Sequence, residues 1–369
     1  MTTAYSGDGI TFPDNSVQAT APRVGMVNRI INSDMRIDQR NAGAAVTINS
    51  SAYTYPVDRF AGFGEPTDGV FTLQQSATAP AGFTNSLLAT VTTADASIGA
   101  SQRYFIRQVI EGYNVADLGF GAAGASTFTI SFWTRSSLTG TFGGSLMNGD
   151  FDRAYPFTYT VSVANTWEQK TITIAGDTTG TWLKTNGGGL FICWSMGAGS
   201  TRLDTAGAWQ TPAGPLFGAT GQINIIATNG ATFYITGVQL EKGSTATDFE
   251  YVDYGRQLQK CQRYGFAVNG CYTGFANGTT TVDAACMYPV TMRSNPTLAA
   301  GTAVMTAYGA GGSFAQSSVN SALPTGTTQN GCTLRFSNFT SLTGNSVYVL
   351  NNAATGTVTA YSSFLSAEL

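Results

Sequence analysis

The residue types available for catalysis are few, because the chain contains no histidine. This excludes a Ser-His-Asp or Cys-His nucleophile and any His-ligated metal centre. The tightest pair of carboxylates is Asp150-Phe-Asp152, whose spacing would put both acids on one face of a strand. A glycosidase needs two such groups about 5 to 10 Å apart, one of them in an apolar pocket. We favour the alternative, a solvated strand end beside Gly149, and expect no enzymatic activity.

One segment offers side chains suited to binding. Phe128, Ile130 and Phe132 fall on one face of a predicted strand, whereas Trp133 and Arg135 fall on the other, among threonine and serine. An indole and a guanidinium on a polar face can contact a ligand. Packing of Trp133 under a loop or in a subunit contact is the alternative.

The elements that must position these side chains are short strands. The same alternation recurs in residues 155–163, 170–174 and 230–238, and turn clusters at 176–180 and 186–189 separate the strands. Regularly spaced strands of this kind predict a two-sheet sandwich. One helix is predicted at 254–265, with Asp253 as its N-cap, Leu258 and Cys261 on one stripe, and Gly265 at its C-terminus.

Composition narrows the function further. Charged residues make up 11% of the chain and the formal net charge is −3, so the basic surface that a nucleic acid requires is missing. No apolar run approaches the roughly 20 residues that cross a bilayer, and the first residues lack the features of a signal peptide. We expect synthesis in a reducing cytoplasm, with the five cysteines as buried small hydrophobes rather than a disulfide framework or a zinc site.

Three segments in order resemble parts of tailed-bacteriophage fibre and other virion surface proteins. They are NRIINSDMRIDQRNAG at 28–43, NTWEQKTITIAGDTTGTW at 165–182 and FYITGVQLEKGSTATDFEYVDYGRQLQKCQRYG at 233–265. The resemblance implies an all-β fold in which a jelly-roll β-sandwich, similar to carbohydrate-binding modules, precedes a smaller β-rich C-terminal domain. The implied divisions are an N-terminal arm at 1–27, the jelly roll at 28–253, a linker helix at 254–265 and the C-terminal domain at 266–369. Residues 28–43 would be the first strand of the jelly roll.

The resemblance also implies a ligand and a site. Carbohydrate-binding jelly rolls of this kind stack aromatic rings on sugars, which makes Trp133 the expected stacking residue, with Arg135 and Arg107 on the same sheet face as hydrogen-bond donors. Related jelly rolls hold a structural calcium near their first and last strands. The oxygens available there belong to Asp34, Asp38, Glu241 and Glu250. Salt-bridged carboxylates are the alternative for these residues, and no other cofactor is expected.

The resemblance finally implies a role. We expect a structural component of a tailed-phage virion, most simply a homotrimeric tail fibre or adhesin that binds a host cell-surface glycan. The arm at 1–27 would pack in the oligomer or against other virion proteins, because so few apolar side chains cannot offset its ordering entropy alone. The alternative is a head fibre, capsid decoration or collar protein with a purely structural role. For the sparsely charged C-terminal domain, a monomer with polar strand edges is the alternative to a symmetric assembly.

Overall fold

The computed structural model describes residues 4–6, 9–11, 17–18, 26–65, 68–268, 271–300, 305–309, 312–315, 322–352 and 363–369. In the N-terminal arm, three short strands pair antiparallel with one another: β1 Ala4–Ser6, β2 Gly9–Thr11 and β3 Val17–Gln18. Most of the arm at 1–27 lies outside the described residues, and so does its expected packing in an oligomer or against other virion proteins.

Fourteen strands of the central region follow one another between residues 46 and 242 of the described chain. They are β4 Val46–Ile48, β5 Thr54–Val57, β6 Phe60–Phe63, β7 Val70–Ser76, β8 Ser86–Thr93, β9 Arg103–Glu111, β10 Phe128–Ser136, β11 Gly140–Met147, β12 Ala154–Val161, β13 Glu168–Ile174, β14 Gly188–Ala198, β15 Leu203–Asp204, β16 Gly218–Ala219 and β17 Thr232–Lys242. Short 3-10 turns lie at Gly112–Asn114, Ala116–Leu118, Ser200–Arg202 and Ile225–Ala227.

Twelve of these strands form two antiparallel six-stranded sheets. Sheet 1 has the order β13-β10-β17-β8-β7-β4, and sheet 2 the order β12-β11-β14-β9-β6-β5. The chain crosses between the sheets from β8 to β9, β9 to β10 and β10 to β11, and again from β12 to β13 and β13 to β14. Repeated crossing of this kind builds a jelly roll. The predicted all-β sandwich is therefore confirmed.

The sandwich core lies between the two sheets. Phe128, Ile130 and Phe132 point inward from β10, as their alternation predicts, and all three are fully buried. Phe132 meets the Trp194 ring of sheet 2 edge to face, with ring centroids 5.9 Å apart. Aromatic pairs of this geometry contribute about 0.5 to 1.5 kcal/mol beyond the area they bury.

Residues 28–43 do not form the predicted first strand. Asn32 and Met35 both adopt left-handed backbone conformations, with φ of 57° and 58°, and such residues cannot continue an extended strand. The segment still follows sheet 1, because the Arg29 amide donates to the Leu240 carbonyl at 2.9 Å. Its apolar side chains Ile30 and Met35 belong to the sandwich core.

The helix α1 spans Tyr254–Gln262, so it begins where predicted and ends three residues sooner. Asp253 is its N-cap, and the Asp253 carboxylate accepts from the Arg256 amide at 3.2 Å. Gly265 is not the left-handed cap that was expected, because it starts strand β18. No helix in the described part of the chain is long and apolar enough to cross a membrane.

The C-terminal region contains two further antiparallel sheets. The small one has the order β18-β27-β21 and the larger the order β23-β22-β26-β19-β20-β25-β24. The strands are β18 Gly265–Ala267, β19 Tyr272–Ala276, β20 Val282–Met287, β21 Thr297–Ala300, β22 Met305–Gly309, β23 Gly312–Ala315, β24 Ala322–Thr325, β25 Gly331–Phe336, β26 Val347–Asn352 and β27 Ser363–Ser366. A hydrophobic core separate from that of the sandwich lies beneath the larger sheet, which we call the C-terminal sheet.

The five cysteines are reduced, but they are not all buried. Cys271, directly before β19, is exposed, contrary to the prediction. Cys286 and Cys332 are buried directly opposite each other on β20 and β25. Their shared burial fits the expected role as small hydrophobes.

Candidate functional site

The two outer faces of the sandwich differ in how much of them is accessible. On sheet 2, the outward side chains Phe105, Met147 and Cys193 are fully buried. Phe217, from the loop before β16, stacks on Phe105 with ring centroids 4.3 Å apart. Leu369, which follows strand β27 in the chain, packs against the same cluster. The outer face of sheet 2 is therefore a second core rather than an open binding surface.

Arg107 lies on this covered face and not beside Arg135, so the expectation that the two share a sheet face is wrong. Strand β9 belongs to sheet 2, whereas β10 belongs to sheet 1. Arg107 is 4% exposed, its guanidinium lies 3.4 Å from the centre of the Tyr53 ring, and its Nη2 donates to the Leu369 carbonyl at 3.1 Å. Its role is to hold the tail of the chain against sheet 2.

Buried charges fix that tail at the boundary between the sandwich and the C-terminal region. The Glu368 carboxylate pairs with Arg59 and, at 3.1 Å, with Arg40. Arg293 donates to the carbonyls of Ala367 and Glu368 at 2.7 and 3.0 Å. Pairing satisfies these charges where isolated ones would be costly to bury.

A buried carboxyl next to this network has an altered proton affinity. Burial raises the pKa of Asp58 to about 7, although Arg40 and a hydrogen bond from Gln39 oppose the rise. A bidentate ion pair joins Arg263 to Glu111, with distances of 2.6 and 3.0 Å. The Tyr264 hydroxyl donates to the same carboxylate at 2.7 Å. The helix end is thereby tied to strand β9.

The outer face of sheet 1 has a different character. Trp133, Arg135 and Tyr234 all point outward and all are half-buried. The Arg135 guanidinium lies 5.1 Å from the centre of the Tyr234 ring, and Trp167 meets that ring at 5.9 Å in an edge-to-face contact. The structure thus brings Trp133 and Arg135 together, as strand parity predicted, and adds two rings to them.

A glycine bulge in β17 lets the rings approach the sheet closely. The register between β10 and β17 shifts between Ser131 and Trp133, and Gly237 adopts a positive φ of 59°. A Cβ at Gly237 would lie 3.1 Å from Trp133 Cδ1 and 2.7 Å from Phe83 Cζ. Because only glycine leaves that space free, the Trp133 and Phe83 rings can both lie against the backbone at Gly237.

Phe83 extends the row of rings toward the end of the sandwich. It contacts Phe249 and Tyr251, with ring centroids 5.0 and 5.8 Å away. The Tyr251 hydroxyl donates to the Gly82 carbonyl at 2.8 Å, and the side chain is 59% exposed. We call the set the aromatic strip, which consists of Trp167, Tyr234, Trp133, Phe83, Phe249 and Tyr251.

The guanidinium beside the aromatic strip is fixed by a hydrogen bond, because Arg135 Nε donates to the Asn165 carbonyl at 2.9 Å. Glu168 and Lys170 pair at 2.6 Å, but they lie opposite the inward Thr134 and Phe132 and so face away from the strip. Burial opposes ionisation of Glu168, but hydrogen bonds from Lys170 and from the Val163 and Ser162 amides hold the pKa of that carboxyl below its ordinary value. The strip therefore combines ring surfaces with one hydrogen-bonding group of fixed orientation.

Sequence reasoning named Trp133 and missed its neighbours. Tyr234 could have been found, because it alternates with the inward Phe233 and Ile235 on β17. Trp167 lies in the segment 165–182 that resembles phage surface proteins, and its contact with Tyr234 was not expected. Phe83 lies in a loop far away in sequence, where no periodicity exists to indicate its direction.

The candidate carboxylate pair does not lie on a strand. Strand β11 ends at Met147 and β12 begins at Ala154, so Asp150 and Asp152 belong to the turn between them. Phe151 between them has a positive φ of 58°, which removes the period-two geometry on which the pairing depended. Asp152 accepts from the Asn148 side-chain amide at 2.6 Å and serves the turn.

The carboxylates considered for calcium do not converge. Asp34 pairs with Arg36, Glu250 accepts from the Asn28 amide at 2.6 Å, and Glu241 accepts from the Thr247 hydroxyl at 2.6 Å. Asp38 accepts from backbone amides of the turn that follows it. Within the described ranges, no three acidic or cysteine side chains cluster as metal ligands. Since calcium requires six to eight oxygens, these residues do not fit such a site.

Comparison with known proteins gives matches by structure alone. No protein-family model matches the chain, and no curated protein matches it. The enzymatically active domain of tailspike protein 4 from bacteriophage CBA120 aligns at 12% identity and a TM-score of 0.31, covering 59% of this chain and 22% of that one. The aligned part of this chain therefore spans about a fifth of the length of that domain.

Two carbohydrate-binding modules align over nearly their whole length. The family 11 module of the cellulosomal cellulase Lic26A-Cel5E of Clostridium thermocellum aligns at 8% identity and a TM-score of 0.29, covering 60% of this chain and 99% of the module. TmCBM61, solved in complex with beta-1,4-galactotriose, aligns at 9% identity and a TM-score of 0.26, covering 58% and 99%. Scores this low do not establish common function, so the architecture stands on the strand topology and the site on its own geometry.

Proposed function

We propose that this chain binds a host cell-surface glycan through the aromatic strip of sheet 1, as a homotrimeric tail fibre or adhesin of a tailed-phage virion. The observation that carries the binding proposal is the half-exposed row of rings beside Arg135 on the outer face of sheet 1, which the described residues cover less completely than that of sheet 2. The virion role is supported by the three sequence segments that resemble phage surface proteins. Binding rather than turnover is proposed, because the candidate carboxylates serve a turn.

Ring surfaces suit sugars for a physical reason. A pyranose has an apolar face of C–H groups that packs against an aromatic ring, while its hydroxyls need hydrogen-bond partners at the edge. Trp133 and Tyr234 supply ring surface, and Arg135 supplies donors whose direction is already fixed. Such a site is weak by itself. Several linked copies would raise avidity by about 10² to 10⁴ without any new contact.

A glycan array with the full-length protein tests the proposal. We expect binding to one class of bacterial surface glycan, and we expect Trp133→Ala to reduce it at least tenfold while the thermal transition is nearly unchanged. Tyr113→Ala is the matched control, because Tyr113 is 61% exposed and lies outside the aromatic strip. This control should bind like the wild type.

The same array separates the proposal from its alternatives. A folded wild-type protein that binds no glycan would contradict an adhesin and favour a structural head-fibre, decoration or collar protein. Shortening of a bound polysaccharide would contradict the non-enzymatic role. Equal losses for Trp133→Ala and Tyr113→Ala would remove the aromatic strip as the binding site.

A further inference from the structure

The C-terminal sheet has one buried face and one apolar face that points to solvent. Its strands alternate strictly: Tyr348 and Leu350 are buried on β26, whereas Val347 and Val349 are 57% and 37% exposed. Phe275, directly opposite Val347 on β19, is 50% exposed. Exposed apolar side chains that adjoin one another mark interaction surfaces, whereas scattered single ones do not.

Strand register places the side chains of Phe275, Val347, Val349 and Tyr308 next to one another, and Met287 lies farther along the same face. Tyr308 of β22 pairs with Val349 and is 48% exposed, and Met287 at the end of β20 is 79% exposed. We call the set the outer C-terminal face, defined by Phe275, Met287, Tyr308, Val347 and Val349. These residues are five of the large hydrophobic side chains that are exposed in the described part of the chain, and they lie on one sheet.

The outer C-terminal face offers no net charge to a partner. Its charged residues are Asp283 and Arg335, which face each other on β20 and β25 and pair at 2.7 Å through both carboxylate oxygens. The hydrogen bond from Arg335 holds the pKa of Asp283 below its ordinary value. A strongly acidic or basic partner would find no complementary charge here, whereas an identical face would meet no like-charge repulsion.

The size of the face limits what it can hold together. The five strands whose side chains are mostly described, β22, β26, β19, β20 and β25, lie about 4.8 Å apart and are about five residues long, which gives about 400 Å² per copy. Two such faces bury about 800 Å², less than the roughly 1,200 Å² at the lower end of standard interfaces. The face can therefore hold copies together when other contacts add to it.

We propose that the outer C-terminal face is the surface through which copies of this chain associate. The inference rests on the multi-subunit assembly proposed above and locates its interface. The partner that contacts this face is another copy of the chain. An uncharged apolar face pairs best with a similar one, and each copy presents such a face. The aromatic strip belongs to sheet 1 of the sandwich and shares no residue with the outer C-terminal face.

Light scattering after size-exclusion chromatography tests the interface in full-length protein. We expect the wild type to elute as several copies, and Phe275→Glu to shift it to single copies at the same concentration. Met287→Glu is the second variant, because its largely exposed side chain makes the fewest contacts within the fold. Tyr113→Glu, an exposed position on the sandwich, should stay assembled.

Each outcome is decisive. A wild type that runs as one copy at about 100 μM overturns the inference, as do Phe275→Glu and Met287→Glu proteins that stay assembled. Glycan binding of the single-copy variants is measured in parallel. Intrinsic binding that persists there keeps the aromatic strip as the site even if the interface fails, and an assembled wild type that binds no glycan would contradict the glycan proposal alone.

Discussion

The two outer faces of the sandwich are built from similar strands, but other parts of the chain cover one face more completely than the other. On sheet 2, Phe105 and Cys193 are covered by a loop and by the tail that ends at Leu369. On sheet 1, Trp133 and Tyr234 stay half-exposed, whereas Thr129 and Gln239 on the same face are buried. Outward-pointing aromatic residues therefore mean different things on the two faces. A ring on a strand indicates binding only where no other part of the chain returns to cover it.

The covered face should matter for stability far more than for binding. Phe105→Ala would remove a fully buried ring that stacks on Phe63 and Phe217, and loss of such a ring costs about 3 to 5 kcal/mol. Chemical denaturation followed by tryptophan fluorescence measures the change. Trp133→Ala is the control on the open face and should cost about 1 kcal/mol or less. Equal costs would contradict the distinction between the faces.

The stability of the folded protein should also depend on pH, through the buried carboxyl of Asp58. The folded-state pKa of Asp58, about 7, lies above the ordinary value of an aspartate. The folded protein therefore binds this proton more tightly than the unfolded chain, so the stabilisation is complete below about pH 4 and is lost as pH rises through 7. We expect the free energy of unfolding to fall by about 2 to 3 kcal/mol between about pH 5 and pH 8.

The control for that prediction is Asp58→Asn, which should flatten the dependence over the same range. Glycan binding should change little there, because Asp58 is not part of the aromatic strip. Stability that rises from pH 5 to pH 8 in the wild type would contradict the prediction. An unchanged slope in Asp58→Asn would show that another group sets the pH dependence of stability.

The smallest expected effect concerns the glycine bulge on the open face. Gly237→Ala should cost about 1 to 2 kcal/mol, since φ is positive there, and should displace Phe83 and Trp133, whose atoms lie within 3.1 Å of the added Cβ. Glycan affinity should fall several-fold. Gly230→Ala is the matched control, because it also has a positive φ but nothing lies within 4 Å of its Cβ. Equal loss of affinity in both variants would mean that ring placement is unimportant.

The sequence by itself determined the local features of this protein. Alternation identified the strand that spans Phe128–Ser136 and set Trp133 and Arg135 on its outward face. Asp253 indicated where the helix begins. These features depend on neighbours along the chain, where period and capping act directly. The absence of histidine likewise excludes whole classes of chemistry from composition alone.

Only the tertiary structure decided which face of the sandwich is open. Arg107 and Arg135 occupy similar outward positions on their strands, yet one is covered by Leu369 and the other is not. The left-handed residues in 28–43 and the approach of Trp133 and Phe83 to Gly237 depend on segments far apart in sequence. Periodicity gives the direction of a side chain relative to its own sheet. What then packs on that side chain is set by long-range contacts that no local pattern encodes.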